Sequence, residues 1–285
     1  MWQRWGHYAH LMRIDKPIGT LLLLWPTLWG LWFAGAGRPA IGLVFIFVLG
    51  TTLMRAAGCV VNDYADRHFD GHVERTQHRP LATQAVSETE ALVLTAVLCL
   101  LAAGLLPWLN SLARWLALPA LFLAVSYPFT KRFLALPQAY LGIAFGFGIP
   151  MAFAAQTGQV PWTALVLLVA NVCRTLAYDT QYAMVDREDD IHLGIRTSAL
   201  TFGRFDVAAV MLCYGLFLGL MAWMGWVFAR GIWYSIGLLV AAGCCAQHYV
   251  WIRERERMAC FRAFLHNNWV GMSVFVGTVL DFALG

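Results

Sequence analysis

Residues 18–37 read IGTLLLLWPTLWGLWFAGAG, and residues 40–62 read AIGLVFIFVLGTTLMRAAGCVVN. Each stretch is an almost uncharged apolar run, long enough for an α-helix to cross the hydrocarbon core of a bilayer, which takes about 20 residues. Pro26 lies inside the first run, and membrane helices tolerate proline where neighbouring helices satisfy the freed carbonyl. These runs predict two transmembrane helices near the start of the chain.

The composition extends this prediction to the whole chain. The 285 residues are 60% hydrophobic and 13% charged, whereas a soluble domain has about 45–50% apolar and about 25% charged residues. A soluble enzyme and a disordered chain are therefore excluded, and long continuous runs are not typical of a β-barrel. We predict an all-α polytopic membrane protein, with about nine spans in one domain over residues 1–285. The predicted spans are 18–37, 40–62, 89–107, 112–129, 138–157, 161–183, 206–228, 232–251 and 265–284.

The basic residues predict the topology. Most lysines and arginines precede the first span or follow the second, fourth, sixth and eighth, and the opposite loops hold only Arg38, Arg114 and Arg230. Because positive charge marks the cytoplasmic side, we expect the N-terminus and these richer loops to face the cytoplasm. The basic residues form no continuous face, so membrane lipid and not nucleic acid is the predicted partner. No cleavable signal or transit peptide is evident, which favours a bacterial inner membrane.

Cysteines offer no metal site or disulfide framework. The seven cysteines form no CxxC pair, and most lie inside apolar runs. We predict free thiols that behave as small buried hydrophobic residues.

Two acidic clusters follow apolar spans, one in each half of the chain. The first reads NDYADRHFD over residues 62–70, and the second reads DTQYAMVDREDD over residues 179–190. At about 100° per residue, the acids of each cluster are predicted to form a carboxylate stripe on one helix face. The stripes comprise Asn62, Asp63, Asp66 and Asp70 in the first cluster, and Asp179, Asp186 and Asp190 in the second.

The two clusters also indicate an internal repeat. Asp66 and Asp70 share their DxxxD spacing with Asp186 and Asp190, 120 residues later, and an Arg-Thr pair follows each. The sequence therefore predicts two pseudo-repeated halves, each contributing one acidic cluster.

Crowded carboxylates at a membrane edge require a positive partner. Oxygen ligands suit Mg²⁺, which takes one or two carboxylates and completes its shell with water and substrate phosphates. Two facing clusters therefore predict a clamp for a diphosphate. His68 and His72, four residues apart, suit zinc less well because no thiolate joins them.

Basic residues near the clusters are candidates for binding the diphosphate, because arginine grips phosphate with two prongs and lysine acts as a point charge. These are Arg75, Arg79, Lys131, Arg132 and Arg196. Arg55 and Arg174 lie inside apolar spans, before the first and second clusters respectively. An intramembrane arginine needs a partner or a ligand, so we expect an ion pair or a functional role for both.

This arrangement suits the departure of a diphosphate from an isoprenoid chain that extends into the bilayer. Apolar and aromatic walls would keep water from an allylic carbocation and stabilise it. Tyr127, Tyr140, Tyr178 and Tyr182 are the aromatic candidates for such a pocket.

The acidic clusters resemble the two motifs of the UbiA-type family of intramembrane prenyltransferases, NDxxDxxxD and DxxYxxxDxxxD. Six blocks of the chain, at residues 13–29, 55–67, 73–81, 127–132, 137–145 and 177–186, resemble the branch of that family that acts on 4-hydroxybenzoate. The departures are small: His68 stands where an acid is frequent, Glu188 lies in a run that is often all aspartate, and Arg196 stands where lysine is usual.

The resemblance implies a nine-helix bundle around a central cavity open to lipid. It implies Mg²⁺-dependent transfer of a polyprenyl group from polyprenyl diphosphate to the carbon ortho to the hydroxyl of 4-hydroxybenzoate, in ubiquinone biosynthesis. Asp63, Asp66, Asp70, Asp179, Asp186 and Asp190 would hold Mg²⁺ and act in catalysis, with Asn62 and Tyr182 beside them at the substrates. Arg75, Arg79, Lys131 and Arg132 would bind diphosphate, and Arg13, Lys16 or Arg55 would bind the carboxylate of the aromatic acid.

Three alternatives stay open at this point. A sibling enzyme would use the same chemistry on another acceptor, such as a haem, a chlorophyll precursor or a naphthoate. A secondary transporter could also carry paired repeats and intramembrane acids, but nearer the middle of the membrane. An enzyme that transfers phosphoalcohols to lipids would show one compact Asp/Gly motif.

Overall fold

The computed structural model describes residues 2–68, 70–72 and 76–285, and in these ranges the ordered elements are all helical. The helices are α1 (Trp2–Leu11), α2 (Pro17–Ala34), α3 (Ile41–Asp66), α4 (Glu88–Ala103), α5 (Ser111–Thr130), α6 (Pro137–Gly146), α7 (Gly148–Thr157), α8 (Trp162–Val185), α9 (Arg187–Leu193), α10 (Ser198–Phe202), α11 (Asp206–Val227), α12 (Ile232–Ile252) and α13 (Arg257–Leu284). The all-α prediction is therefore confirmed.

The predicted spans correspond to helices of this bundle. In the described ranges, seven helical segments are long and apolar enough to cross a membrane, and they correspond to six single predicted spans and the pair α6–α7. The helices α8 and α13 are 24 and 28 residues long, enough to cross a bilayer at 1.5 Å per residue, but they carry more polar side chains. The chain is therefore an integral membrane protein with seven to nine spans.

The fifth predicted span is interrupted between α6 and α7, at Phe147. Glycines on either side of the break allow close approach of neighbouring helices. A Cβ at Gly142 would lie 2.9 Å from the Cα of Val172 on α8, and one at Gly148 would lie 2.4 Å from Oγ1 of Thr27 on α2. The break therefore lets one span pack against two different helices.

A polar network in the core explains the composition of α8 and α13. The Tyr214 hydroxyl donates to Oδ1 of Asn267 at 2.8 Å and accepts from Nε2 of Gln181 at 2.9 Å. Asn267 donates in turn to Oε1 of Gln181 at 2.8 Å, and Tyr214 contacts Nδ1 of His248 at 2.9 Å. These buried groups satisfy one another and join α8, α11, α12 and α13.

The acidic clusters lie where long helices end. Motif one begins in the last turns of α3, and motif two begins in the last turns of α8. All seven cysteines are free, as predicted.

The prediction of one continuous stripe per cluster is wrong. Asp70 lies in a 3₁₀ turn (Asp70–His72) beyond the end of α3, and α8 ends before Asp186, whose φ of −101° and ψ of 12° are not helical. Asp70 and Asp190 lie outside the helices in which their clusters begin. They are thereby separated from carboxylates that would otherwise repel them at i, i+4 spacing on one helix. A second short helix, α9, then begins with Glu188, Asp189 and Asp190 in its first turn, where negative charge is favourable.

The contact between α12 and α13 generates a prediction. A Cβ at Gly237 would lie 2.6 Å from the carbonyl oxygen of Ser273 and 2.9 Å from the Cα of Gly277, whereas a Cβ at Gly243 meets nothing within 4 Å. Gly237→Ala should therefore lower the thermal unfolding temperature in detergent, by overpacking of about 1–3 kcal/mol. The matched variant Gly243→Ala should be neutral or slightly stabilising. Equal melting temperatures for the two variants would contradict the close approach.

Candidate active site

A cavity of about 1080 Å³ opens between the ends of α3 and α8. Its mouth is lined by charged residues of both acidic clusters, and its interior is lined by apolar residues of α2, α3, α5, α6 and α7. The predicted charged and polar site residues that line it, with Tyr182, are Arg13, Lys16, Arg55, Asn62, Asp63, Asp66, Asp70, Arg79, Lys131, Asp179, Asp186, Asp190 and Arg196. The fold thus gathers residues from distant parts of the sequence around one space.

In the first cluster, each aspartate is paired with a basic residue from another part of the chain. Asp63 accepts from Arg13 at 2.7 Å and from Arg79 at 3.0 Å. Arg79 also pairs with Asp70 at 2.9 Å, so that one guanidinium bridges two carboxylates. These pairs compensate the crowded negative charge within a largely buried site.

Asp66 lies at the centre of this cluster and is 5% exposed. Its Oδ2 accepts from Lys131 at the end of α5 and from Asn62 at 3.4 Å. Its Oδ1 is buried and has no hydrogen-bond partner within the described part of the chain. A buried carboxylate oxygen without a donor is costly unless a cation completes it.

The surroundings raise the pKa of one acidic group and of one basic group at the mouth, for different reasons. Burial raises the pKa of Asp70 to about 6, with the neighbouring Asp66 and Asp63 adding to the shift and Arg79 opposing it. Burial disfavours the charged form of Arg13, but the adjacent Asp63 outweighs this and raises the pKa of Arg13. The charge of Asp70 therefore depends on pH near neutrality.

The second cluster faces the start of α13. Asp179, Tyr182, Asp186 and Asp190 line the cavity, and the ring of Tyr182 packs against that of Phe264 with centroids 4.5 Å apart. Arg257, the first residue of α13, lies 3.8 Å from Asp186 and 3.4 Å from Asp189.

Sequence reasoning did not single out Arg257, because the arginines after the eighth span were interpreted only as a topology signal. The density of basic residues in 253–257, read RERER, was the available clue.

Some predicted residues lie elsewhere. Arg75 falls outside the described residues. Arg132 does not line the cavity, and its guanidinium donates to the carbonyl of Ala65 at 2.9 Å, at the end of α3. Of the four tyrosine candidates, Tyr127, Tyr178 and Tyr182 line the cavity, whereas the Tyr140 hydroxyl bonds Ser126 at 2.7 Å outside it.

The two intramembrane arginines differ in position. Arg174 is fully buried behind the cavity wall, with its guanidinium 5.3 Å from the ring centroids of Trp29 and Tyr178. It contacts the Leu22 carbonyl at 3.5 Å and Oδ1 of Asn171 at 3.3 Å. Among the described residues, the expected ion pair to a carboxylate is not found for Arg174.

Arg55 does line the cavity, below the acidic mouth. Its guanidinium packs against Gly19, where a Cβ would lie 2.5 Å from one terminal nitrogen. Its Nε is buried and has no hydrogen-bond partner, and no described carboxylate forms an ion pair with it. The cavity therefore contains a cation that could accept an anionic ligand.

The carboxylates fit Mg²⁺ held jointly with a ligand. Within the described ranges, no three His, Cys, Asp or Glu side chains converge to enclose a metal ion. Mg²⁺ does not require such a cage, since one or two carboxylates suffice when phosphates and water supply the other oxygens. The orphan Oδ1 of Asp66 is the clearest such ligand in the described site.

The deeper part of the cavity suits an apolar chain. Phe47 and Met54 on α3, Ala120 on α5 and Met151 on α7 are among its lining residues. A site of this kind binds an amphiphile with an anionic head at the membrane edge and an apolar tail inside the bundle.

Comparison with known proteins identifies the family of the chain. The model of the UbiA prenyltransferase family matches residues 23–270. The chain belongs to the UbiA prenyltransferase family. The prediction of a prenyltransferase from the two acidic motifs is therefore confirmed, and the transporter and phosphoalcohol-transferase alternatives are set aside.

The curated relatives cover nearly the whole chain. A 4-hydroxybenzoate octaprenyltransferase of Azoarcus sp. is 63% identical over 98% of this chain and 97% of its own. One of Cupriavidus necator is 60% identical over 100% of both chains.

Solved structures of UbiA homologues share the fold. The apo structure of a UbiA homologue from Aeropyrum pernix superimposes with a TM-score of 0.81 at 22% identity, covering 92% of this chain and 97% of that one. A UbiA homologue from Archaeoglobus fulgidus bound to GPP and Mg²⁺ superimposes with a TM-score of 0.71 at 16% identity, covering 94% and 99%.

The raised pKa of Asp70 predicts a pH-dependent stability without divalent metal. Because the folded state favours the protonated carboxyl, its contribution is fully present below pH 4 and is lost as the pH rises through about 6. The loss is at most about 3 kcal/mol for a shift of about two pH units. In EDTA, the melting temperature of Asp70→Asn relative to wild type should therefore rise between pH 5 and pH 7.

The exposed variant Glu254→Gln is the control, because its difference from wild type should not change over that range. A constant difference for Asp70→Asn as well would show that Asp70 is already ionised at pH 5.

Proposed function

We propose that the protein transfers a polyprenyl group from polyprenyl diphosphate to the ring carbon ortho to the hydroxyl of 4-hydroxybenzoate, as a Mg²⁺-dependent step of ubiquinone biosynthesis. The observation that carries this proposal is one cavity that combines a mouth of paired acidic and basic residues, an apolar interior and, between them, Arg55, which contacts Cys59 but forms no ion pair with a described carboxylate. The curated relatives named 4-hydroxybenzoate octaprenyltransferase support the same reaction.

The diphosphate would lie at the mouth of the cavity. Asp63, Asp66 and Asp70 of motif one, with Asp179, Asp186 and Asp190 of motif two, would hold Mg²⁺ there, with Asn62 and Tyr182 beside them. Bound Mg²⁺ neutralises the charge that develops on a leaving diphosphate. Lys131 and Arg79 are positioned beside the same carboxylates and would bind diphosphate oxygens, with Arg75 and Arg132 as the remaining candidates from the sequence.

Among the three candidate anchors for the acceptor's carboxylate, the contacts favour Arg55. Arg13 is already paired with Asp63, and Lys16 is exposed at the mouth. Arg55 lies seven residues before Asn62 on α3, about 10 Å along the helix axis at 1.5 Å per residue. A carboxylate bound by Arg55 would direct the opposite, hydroxyl-bearing end of the ring towards the diphosphate.

The transfer breaks one carbon–oxygen bond of the polyprenyl diphosphate and forms one carbon–carbon bond to the ring. The bond between the allylic carbon and the diphosphate oxygen breaks, and diphosphate leaves with the electron pair. The ring carbon ortho to the hydroxyl attacks the allylic carbon, and loss of the ring proton restores aromaticity. The apolar and aromatic walls of the cavity would exclude water from the allylic cation, and tyrosine faces would stabilise it.

We further propose that the site and the N-terminus face the cytoplasm of a bacterial inner membrane. The acidic clusters lie at the same end of the bundle as most arginines and lysines, whereas Arg38 and Arg230 lie in the opposite connections and Arg114 lies at the start of α5, at that opposite end. This asymmetry is the positive-inside pattern, and the curated relatives are bacterial.

The first test is prenyl transfer in membranes that contain the protein, supplied with polyprenyl diphosphate and 4-hydroxybenzoate, with Mg²⁺ or with EDTA. Wild type should form 3-polyprenyl-4-hydroxybenzoate only with Mg²⁺.

Asp66→Ala and Asp186→Ala should each abolish transfer while the protein still inserts, because each removes a carboxylate from a different cluster. Glu254→Ala, on the exposed α12–α13 turn, is the control. Full activity of both aspartate variants would refute the two-cluster clamp, and product with another acceptor alone would indicate a sibling enzyme.

A second test concerns the acceptor. Arg55→Gln should raise KM for 4-hydroxybenzoate by about 10–100-fold, the effect of losing a hydrogen-bonded charge pair of about 1.5–3 kcal/mol. KM for the polyprenyl diphosphate should change little. Arg114→Gln, at the exposed start of α5, should leave both values unchanged. An unchanged KM for 4-hydroxybenzoate in Arg55→Gln would return the choice to Arg13 and Lys16.

A further inference from the structure

An ion triad around one buried carboxylate stands behind the second acidic cluster. Asp206, the first residue of α11, is fully buried. It accepts from Arg187 at 2.7 Å and from Arg255 at 2.7 Å, and its Oδ1 also accepts from the backbone N–H of Val207 at 2.7 Å. One carboxylate therefore joins α9, α11 and the turn between α12 and α13.

Arg187 connects this triad directly to motif two. It follows Asp186, the residue at which the chain leaves α8 and enters α9. Besides Asp206, its guanidinium donates to the carbonyls of Ala199 at 3.1 Å and Gly203 at 2.9 Å. These contacts fix the direction in which α9 leaves α8, and hence where Asp190 lies relative to Asp186.

Arg255 secures the same carboxylate from the other side of the bundle. Its backbone is left-handed, with φ of 56°, and its guanidinium also donates to the carbonyl of Arg204 at 2.9 Å. Glu256 then caps α13 by accepting from the backbone N–H groups of Met258 and Ala259. The turn thereby delivers Arg257 to Asp186 and Asp189.

We propose that Arg187, Asp206 and Arg255 are positioning residues that hold the second acidic cluster in the geometry that binds Mg²⁺ and diphosphate. At Asp186 the backbone departs from helical geometry, with φ of −101° and ψ of 12°, and the carboxylates on either side of this residue repel each other. Two guanidinium groups on one buried carboxylate oppose that repulsion, since charge-assisted pairs in low dielectric are strong and directional. This inference rests on the proposed function, because it assigns Mg²⁺–diphosphate to the same site.

The test compares Asp206→Asn with Asp281→Asn in purified, detergent-solubilised protein. Asp281 is 2% exposed and accepts from the backbone N–H groups of Gly231 and Tyr234 at the far end of the bundle. Both substitutions remove a buried charge that joins two helices, so both should lower the melting temperature. The deciding readout is the Mg²⁺ concentration at half-maximal thermal stabilisation in the presence of inorganic pyrophosphate.

We expect Asp206→Asn to raise that concentration about tenfold or more, and Asp281→Asn to leave it at the wild-type value. In the transfer assay, KM for the polyprenyl diphosphate should rise in Asp206→Asn more than kcat falls. Arg255→Gln, which keeps the pair between Arg187 and Asp206, should shift the Mg²⁺ requirement in the same direction by a smaller factor. It serves as the test variant if Asp206→Asn does not fold.

Equal Mg²⁺ requirements in wild type, Asp206→Asn and Arg255→Gln would overturn the inference and leave the triad a purely structural contact. Equal increases of the Mg²⁺ concentration at half-maximal stabilisation in Asp206→Asn and Asp281→Asn would also overturn the inference. A wild-type protein that does not respond to Mg²⁺ and pyrophosphate would instead refute the proposed function, and the inference would fall with it.

Discussion

The rest of the structure depends on how carboxylates are kept together at one end of an apolar bundle. Buried negative charges repel one another and lose hydration, so they persist only with opposite charges close by. The fold supplies these from separate segments: Arg13 precedes α2, Arg79 follows α3, and Lys131 ends α5. The helices α2, α3 and α5 must therefore meet at the same end, and the cavity between them is a consequence of that charge balance.

The cavity divides along its depth into regions of different chemistry. The mouth holds fixed charges of both signs, Arg55 lies below it with no carboxylate partner among the described residues, and apolar residues of α3, α5 and α7 line the interior. A substrate that combines a diphosphate with a long hydrocarbon chain can satisfy the mouth and the interior at once. The remaining polar position at Arg55 suits a second, smaller anion, which makes the site suitable for joining two molecules.

The sequence was informative about features that depend on local pattern. Apolar run length predicts the spans, and the spacing of Asp63, Asp66, Asp179 and Asp186 predicts the clusters that line the cavity. It was less informative where tertiary contacts decide the outcome. The pairing of Arg79 with two aspartates, the departure of Asp70 and Asp190 from a continuous helix, and the approach of Arg257 to motif two depend on loops whose course has no periodic signal. Tertiary contacts also separate two adjacent basic residues that the sequence does not distinguish. Lys131 lines the cavity, whereas Arg132 packs against the end of α3.

The polar character of α8 and α13 has a consequence for how the chain enters the bilayer. An arginine at the centre of a helix costs about 2.5–3.5 kcal/mol on insertion scales, and α8 carries Arg174 together with Asn171 and Gln181, all fully buried in the finished bundle. Such a helix partitions poorly into lipid by itself, whereas the seven apolar segments can insert one at a time as they are synthesised. Gln181 also accepts a hydrogen bond from Asn267, which lies on the last helix and is therefore synthesised after α8. Stable integration of α8 is thus coupled to the arrival of α13, so that synthesis must finish before the helix that carries motif two is fully accommodated in the membrane.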